Sequence, residues 1–481
     1  MTTKSSLTQR AGRAALWQIV GGGWQTIVRM GASVFLARAL KPSDFGLFGM
    51  AVLFQEFLVH LTALGMGTGI IAKKEVSRND LNTCFWTIAG VRFLLFLFAF
   101  FGAPLAALFF KEPRVIPVIR VSSFCFLVDI LSVIPNLLLS KELGFKSLNM
   151  INGIGALLGS AMAVFFALTT NLAYWSLVFS MLANSIFCNL AIFIYRKWLP
   201  EFKFNKESFR YLFNFGIHGL GFSITNYLKQ NLDYLIVGRI LGSNKLGLYE
   251  FAYRIPHLVF DRVSRPVGGV FFPALSEIQD DNEKIFNSYV KVVKFVTLIT
   301  FPILFGLAAV ADVVVPVLWG NQWLPIIRPL QILCLCAALR CLVQPLGSIF
   351  YCKNRPDIPN KTSFIELVFT AITVSIMGYF WDIIGVAIGM LLSLLPTFIV
   401  LYIGFRLIEA QIYRFFISIS KVFFAAFICG ISAWLVKKGL LCLNLNLISV
   451  LSISVISGGI VFAIFVLFCF KEEVLLLKKI F

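Results

Sequence analysis

Charge is scarce in this 481-residue chain, where Asp, Glu, Lys and Arg make up only 14 % of positions. A soluble domain carries about 25 %, so an ordinary water-facing globule is excluded. Histidine is scarcer still, at three residues, and none of the ten cysteines forms a C-x-x-C pair. No zinc site or disulfide framework is readable. Cys334, Cys336 and Cys341 share one apolar stretch and read as packing residues. Phosphate-loop and nucleophile-elbow motifs are also missing. Loops between apolar runs stay under roughly twenty residues, too short for a soluble catalytic domain. A membrane-embedded glycosyl polymerase or ligase would be expected to bring a long loop, and none is present. The reading is therefore not an enzyme, with no cofactor and no metal.

Apolar residues fill the space that charge vacates, at 59 % of the chain, and mean hydropathy is +0.88. A membrane-crossing helix needs about 20 mostly apolar residues, and fourteen such stretches can be drawn. Seven cover 16–37, 46–72, 83–110, 117–139, 148–169, 171–195 and 211–238. Seven more cover 247–275, 286–311, 328–350, 361–381, 383–405, 415–436 and 446–470. The net charge of +19 could suggest nucleic acid, but its placement does not. With the N-terminus inside, the cytoplasmic loops, ends and adjoining helix ends hold 25 Lys/Arg and those on the opposite side 10. That is the positive-inside bias, which places both termini in the cytoplasm. No nucleic-acid partner is expected. Arg29 and the length of the first apolar stretch exclude a cleaved secretory signal.

The chain also repeats itself. "LARALKPSDFGLFGM" (36–50) and "VGRILGSNKLGLYEF" (237–251) align without a gap at an offset of 201, pairing Arg38 with Arg239, Leu40 with Leu241, Gly46 with Gly247 and Leu47 with Leu248. The same offset pairs Gly67 with Gly268 and Gln25 with Asn226. Six spans separate matched elements, so the two halves run the same way through the membrane, as parallel transporter repeats do. The expected architecture is an all-α integral membrane protein of about fourteen transmembrane helices. It comprises two parallel six-helix halves (1–197 and 198–405), with two further helices and a cytoplasmic tail (406–481). Arg38 and Arg239, at span ends, read as residues that snorkel to the headgroups.

Ionisable groups inside spans are costly, and by default they mark a functional cavity. Nine of the thirteen in this chain fall on the spans where the repeat is clearest. Glu250, Arg254, His257, Asp261 and Arg265 step by three or four residues, within about 80° of helical arc. His218, Thr225, Asn226, Lys229 and Asp233 share a second face. Gln18, Gln25 and Arg29 form a third, and Glu56 with His60 a fourth. Arg29, Glu56, His60, Lys229, Arg254 and Arg265 are the candidates for a substrate headgroup. Asp233, Glu250, His257 and Asp261 are the candidates for cation coupling. The bland alternative is mutual neutralisation of i, i+4 pairs such as Glu250–Arg254 and Asp261–Arg265. Asp129, Glu366 and Arg340 look isolated and read as packing or interface residues.

The halves, the appended helices and the run "ARALKPSDFGLF" (37–48) resemble the Wzx-type polysaccharide flippases of the multidrug/oligosaccharidyl-lipid/polysaccharide (MOP) superfamily, most nearly the colanic-acid-type exporters. The resemblance implies flipping of undecaprenyl-pyrophosphate-linked oligosaccharide across the bacterial inner membrane by alternating access. It implies lipid-linked oligosaccharide and membrane lipid as partners, with polysaccharide polymerase or export machinery as a further candidate. The rivals are a drug or metabolite antiporter and a peptidoglycan-precursor flippase of the same superfamily. A lipid scramblase or scaffold would not need paired polar stripes. The four spans carrying the stripes hold five basic against four acidic residues, a balance that leans toward an anionic headgroup.

Overall fold

The computed structural model describes residues 7–61, 66–217, 220–443 and 445–469. Every regular element among them is helical. Among the described residues, ten segments are long and apolar enough to cross a membrane. Their outer faces expose large apolar side chains, among them Phe101, Leu108, Phe165 and Ile456. Soluble proteins rarely present such surface, and the chain is a multi-pass membrane protein. His218 and the tail after Cys469 lie outside the described residues.

The chain forms two compact units. The first contains residues up to Asn231 and the short piece Gly242–Gly247. Its helices are α1 (Leu7–Ala39), α2 (Pro42–Leu61), α3 (Met66–Ala72), α4 (Arg78–Phe110), α5 (Val115–Ser122), α6 (Phe124–Val128), α7 (Val133–Lys141), α8 (Phe145–Thr169), α9 (Trp175–Tyr195), α10 (Lys206–Ile217) and the first turns of α11 (Leu220–Val259). Ser77 starts α4 through a capping box, accepting from the Asp80 N–H at 3.1 Å and donating its own N–H to Asp80 Oδ2 at 2.9 Å. Such a box satisfies backbone donors that a helix start leaves open.

The span expected at 117–139 is not one helix. It breaks at Ser123 and again at a 3₁₀ turn over Asp129–Ser132. That turn is where the chain gathers polar groups. Arg92 on α4 pairs with Asp129 at 2.7 Å. Ser185 and Asn189 on α9 donate to the other carboxylate oxygen at 3.2 and 2.9 Å, and Ser132 donates to Asn189. Asp129 therefore anchors a three-segment polar clasp and is not isolated.

The second unit contains 232–241 and 248 onward. It holds the rest of α11, then α12 (Arg265–Ser276), α13 (Asn282–Leu318), α14 (Ile327–Val343), α15 (Leu346–Cys352), α16 (Asp357–Leu392), α17 (Leu395–Leu407), α18 (Ile412–Cys442) and α19 (Leu447–Cys469). Within α16 the backbone leaves helical geometry at Trp381 and Asp382 (φ 58°) and doubles back. Gly389 then packs on the Thr373 carbonyl, and Thr373 Oγ1 donates to the Gly389 carbonyl at 3.0 Å. This turn falls at the expected boundary between spans 361–381 and 383–405. A similar interruption at Gly242, with φ 82°, divides α11. α18 and α19 pack on α13, and Lys437 on α18 donates to Asp312 at 2.8 Å and to the Ala309 carbonyl at 2.7 Å. The core of this unit is aromatic, with Trp319 and Trp323 both at Phe251.

Candidate functional site

The polar stripe of α11 and α12 becomes the wall of a cavity of about 470 Å³ in the second unit. Glu250, Arg254, His257, Asp261 and Arg265 all line it, joined by Tyr234 and Arg262. Between α11 and α12 the helix widens into a π turn, Phe260–Ser264, which carries Asp261 and Arg262. Such single π turns insert one residue per turn and cluster at functional sites. Here the wider turn lets residues four apart stay on one face through two successive steps.

Each acid on the wall is paired. Glu250 Oε1 lies 2.6 Å from Arg254 Nη2, whose guanidinium also sits 4.4 Å over the Phe251 ring. Asp261 is flanked by His257 Nδ1 at 3.2 Å and Arg265 Nη2 at 3.1 Å. Asp261 Oδ1 is nonetheless buried without a hydrogen bond among the described residues. Partial exposure of all these side chains leaves them open to the cavity. Three arginines and a histidine face two carboxylates, and the wall carries a basic surplus.

Behind the wall lies a group that local spacing did not reveal. Asp233 is buried, accepting a hydrogen bond from the Tyr249 hydroxyl at 2.6 Å. Tyr249 stacks on Tyr253, and the Tyr253 hydroxyl accepts from Arg340 Nη1 at 2.6 Å. Arg340 also lies 4.9 Å over the Phe260 ring, and Tyr253 touches His257 with ring centroids 5.0 Å apart. Asp233 is thus part of the support, not the lining, and Arg340 is not isolated. The missing signal is simple: Arg340 sits on α14, 87 residues from its tyrosine partner.

The remaining candidates belong to the first unit. His60 Nδ1 is 2.9 Å from Ser223 Oγ and its ring packs on Tyr227, whose hydroxyl donates to the Leu53 carbonyl at 2.6 Å. Arg29, Glu56 and Lys229 are exposed. Glu366, on α16, accepts from Thr397 Oγ1 at 3.0 Å. The three clustered cysteines of α14 are buried and free, and no group that could hold a metal occurs among the described residues. The loop between α4 and α5 supplies one further cluster. Arg114 donates twice to Glu112 at 2.8 Å, and Ser243 donates to it at 3.1 Å. The guanidinium holds the Glu112 carboxyl below the ordinary carboxylate range, with Ser243 helping and burial opposing.

A family model described as polysaccharide biosynthesis protein matches residues 35–328. The chain belongs to that family. It is 29 % identical over 423 residues to the lipopolysaccharide biosynthesis protein WzxC of Escherichia coli (strain K12), covering 86 % of this chain and 84 % of the relative. It is 26 % identical over 356 residues to the teichuronic acid biosynthesis protein TuaB of Bacillus subtilis (strain 168), covering 73 % of each. Among solved structures, a lipid II flippase MurJ in an inward closed conformation aligns with a TM-score of 0.76 at 15 % identity. That alignment covers 96 % of this chain and 100 % of that one. An inward-facing multidrug resistance MATE transporter of the MOP superfamily aligns at 0.62 and 15 % identity, covering 80 % and 94 %. The resemblance to polysaccharide flippases is borne out by the family match and these relatives, and the solved structures share the fold.

Proposed function

We propose that the protein flips undecaprenyl-pyrophosphate-linked oligosaccharide repeat units across the bacterial inner membrane, for export of exopolysaccharide, O-antigen or capsule. A sugar–pyrophosphate head cannot cross hydrocarbon, because its polar groups would lose their hydration. A polar cavity replaces that water, the polyprenyl tail stays in lipid, and alternating access exposes the cavity to each face. The observation that carries this reading is the basic surplus on the second unit's cavity wall. Arginine matches a compact anion through its bidentate fork. A cavity selecting organic cations would carry an acidic surplus instead. Family membership supports polysaccharide precursors over a peptidoglycan precursor.

The same reading keeps fourteen spans, the 1–197, 198–405 and 406–481 divisions, and cytoplasmic termini. Ten segments among the described residues meet the length and hydropathy requirement. The reversal at Trp381–Asp382 divides the longest of them, and α1 and the two limbs of α11 carry the polar faces. Flipping needs no chemical step. The headgroup set is Arg29, Glu56, His60, Lys229, Arg254 and Arg265. Coupling is assigned to His257, Asp261 and Glu250 at the cavity, with Asp233 behind them.

The test is a strain lacking the gene, complemented with variants. Arg254→Ala with normal protein abundance is expected to stop polymer export and to accumulate lipid-linked repeat units on the inner leaflet. Export at the unsubstituted level from both Arg254→Ala and Arg265→Ala would remove the cavity from the mechanism.

A further inference from the structure

We propose that the segment joining the two halves, residues 196–206, is a binding surface for anionic lipid headgroups. The segment follows directly on α9 and lies against the first turns of α4, so it sits where two spanning helices leave the bilayer.

Its backbone is fixed by side chains at the start of α4. The Glu201 N–H donates to Asn82 Oδ1 at 3.0 Å, and Trp86 Nε1 donates to the Glu201 carbonyl at 2.9 Å. The Asn205 N–H donates to Thr83 Oγ1 at 3.0 Å, and Ser208 Oγ donates to Asp80 Oδ1 at 2.7 Å. Asp80, Asn82 and Thr83 are all buried. Trp198 packs into the cluster of Ile70, Leu81, Cys84, Ile134 and Leu212. Buried polar groups are as a rule hydrogen-bonded, and here Asn82 Oδ1 and Thr83 Oγ1 bond the strap while Asp80 bonds the start of α10 just beyond it.

What the strap displays is apolar. Phe202 is 91 % exposed and Leu199 68 % exposed, with Phe202 stacked on Trp86 and so held outward. Lys197, Lys203 and Lys206 stand exposed beside them. Glu201, the acid within the strap, is already engaged by Arg78 at 2.6 Å and Lys203 at 2.9 Å. Lys203, then Arg78, keeps its carboxyl charged below the ordinary range.

Topogenic bias accounts for lysines in such a loop, but not for aromatic and aliphatic side chains fixed in an exposed position. Aromatic side chains belong at the headgroup level, and adjacent lysines draw anionic lipid toward them. Together they fit an anionic bilayer surface better than water or a neutral one.

The experiment places full-length protein in bilayers containing trace phosphatidylglycerol or, separately, phosphatidylcholine, each with a photoactivatable diazirine headgroup. Adducts are mapped by peptide mass spectrometry. Residues 196–206 should label several-fold more from the anionic probe, and that excess should disappear in Lys197→Gln/Lys203→Gln/Lys206→Gln. Phe202→Ser, which leaves every buried bond in place, should lower labelling from both probes. Equal yields from the two probes would overturn the proposal. So would an unlabelled strap on a protein whose other loops are labelled.

Discussion

Gly46 and Gly247 meet backbone to backbone. A Cβ built on Gly46 would lie 2.9 Å from the Gly247 nitrogen, and one built on Gly247 would lie 3.0 Å from the Gly46 nitrogen. Gly46 also abuts the Ser243 carbonyl, and Gly247 abuts the Pro42 carbonyl. The offset of 201 that pairs Gly46 with Gly247 also pairs Pro42 with Ser243. The contact is therefore reciprocal, each glycine meeting the carbonyl four residues before the other.

Either glycine should reject a side chain. Overpacking of this kind costs about 1–3 kcal/mol, and here the obstacle is backbone, which yields less than a flexible side chain. Gly46→Val and Gly247→Val are each expected to lower polymer export sharply, and the double variant to be little worse than either, since one contact is lost once. Additive losses in an export assay would mean that the two positions act separately.

Glu112 gives the neighbouring contact a pH dependence. Its folded carboxyl is held below the ordinary value of 4.5 by the Arg114 guanidinium. A depressed carboxylate adds stability above its unfolded pKa, and that stability is lost as pH falls through the folded value. The melting temperature of the purified protein should be flat from neutral pH to about 5 and fall below about 4. In Glu112→Gln the fall should be smaller. An identical acid profile in the variant would assign the pH dependence to other carboxylates.

The cavity wall was legible because its residues are local. Steps of three and four along one helix survive into the structure, and the π turn at 260–264, which no spacing announces, improves their alignment. Arg340 and Asp129 looked isolated for the opposite reason. Their partners come from other helices, where a single sequence offers no register. Asp80, Asn82 and Thr83 at the start of α4 gave no sign of holding a strap more than a hundred residues away. Spans were legible as lengths of apolar residues, while the break at Asp129–Ser132 carries hydrogen bonds to distant helices that no spacing announces.

Topology can be checked by labelling. Ser243 would be a poor reporter because it is buried and bonded to Glu112. Thr170, between α8 and α9, and Lys203, on the joining strap, are exposed. With cytoplasmic termini, an impermeant thiol reagent added outside should reach Thr170→Cys and miss Lys203→Cys. The reverse pattern would invert the orientation.

The support behind the cavity makes a stability prediction. Tyr249→Phe leaves the buried Asp233 carboxylate without its 2.6 Å donor, and an unsatisfied buried acceptor costs about 1–3 kcal/mol. A lower melting temperature is expected, with partial recovery when Asp233→Asn is added, because the charge left without its donor is then gone. A Tyr249→Phe melting curve that overlays the unsubstituted one would show that this bond contributes nothing.

The last prediction separates binding from neutralisation at Arg254. Its 2.6 Å pairing with Glu250 is what an i, i+4 pair on any helix would make, and by itself it says nothing of a substrate. If the pair only offsets charge, Arg254→Ala harms the protein by leaving Glu250 uncompensated, and adding Glu250→Ala should restore export. If the guanidinium holds a pyrophosphate, the loss is of a charge-assisted contact worth about 1.5–3 kcal/mol, roughly a tenfold to hundredfold loss of binding. Removing Glu250 cannot return it. Placement at the cavity lining beside Arg262 and Arg265 favours the second outcome. Export should stay low in Arg254→Ala/Glu250→Ala at normal protein abundance, and Arg254→Lys should recover part of it, since an ammonium keeps the charge but not the fork. Full export from the double alanine variant would retire Arg254 as a headgroup residue.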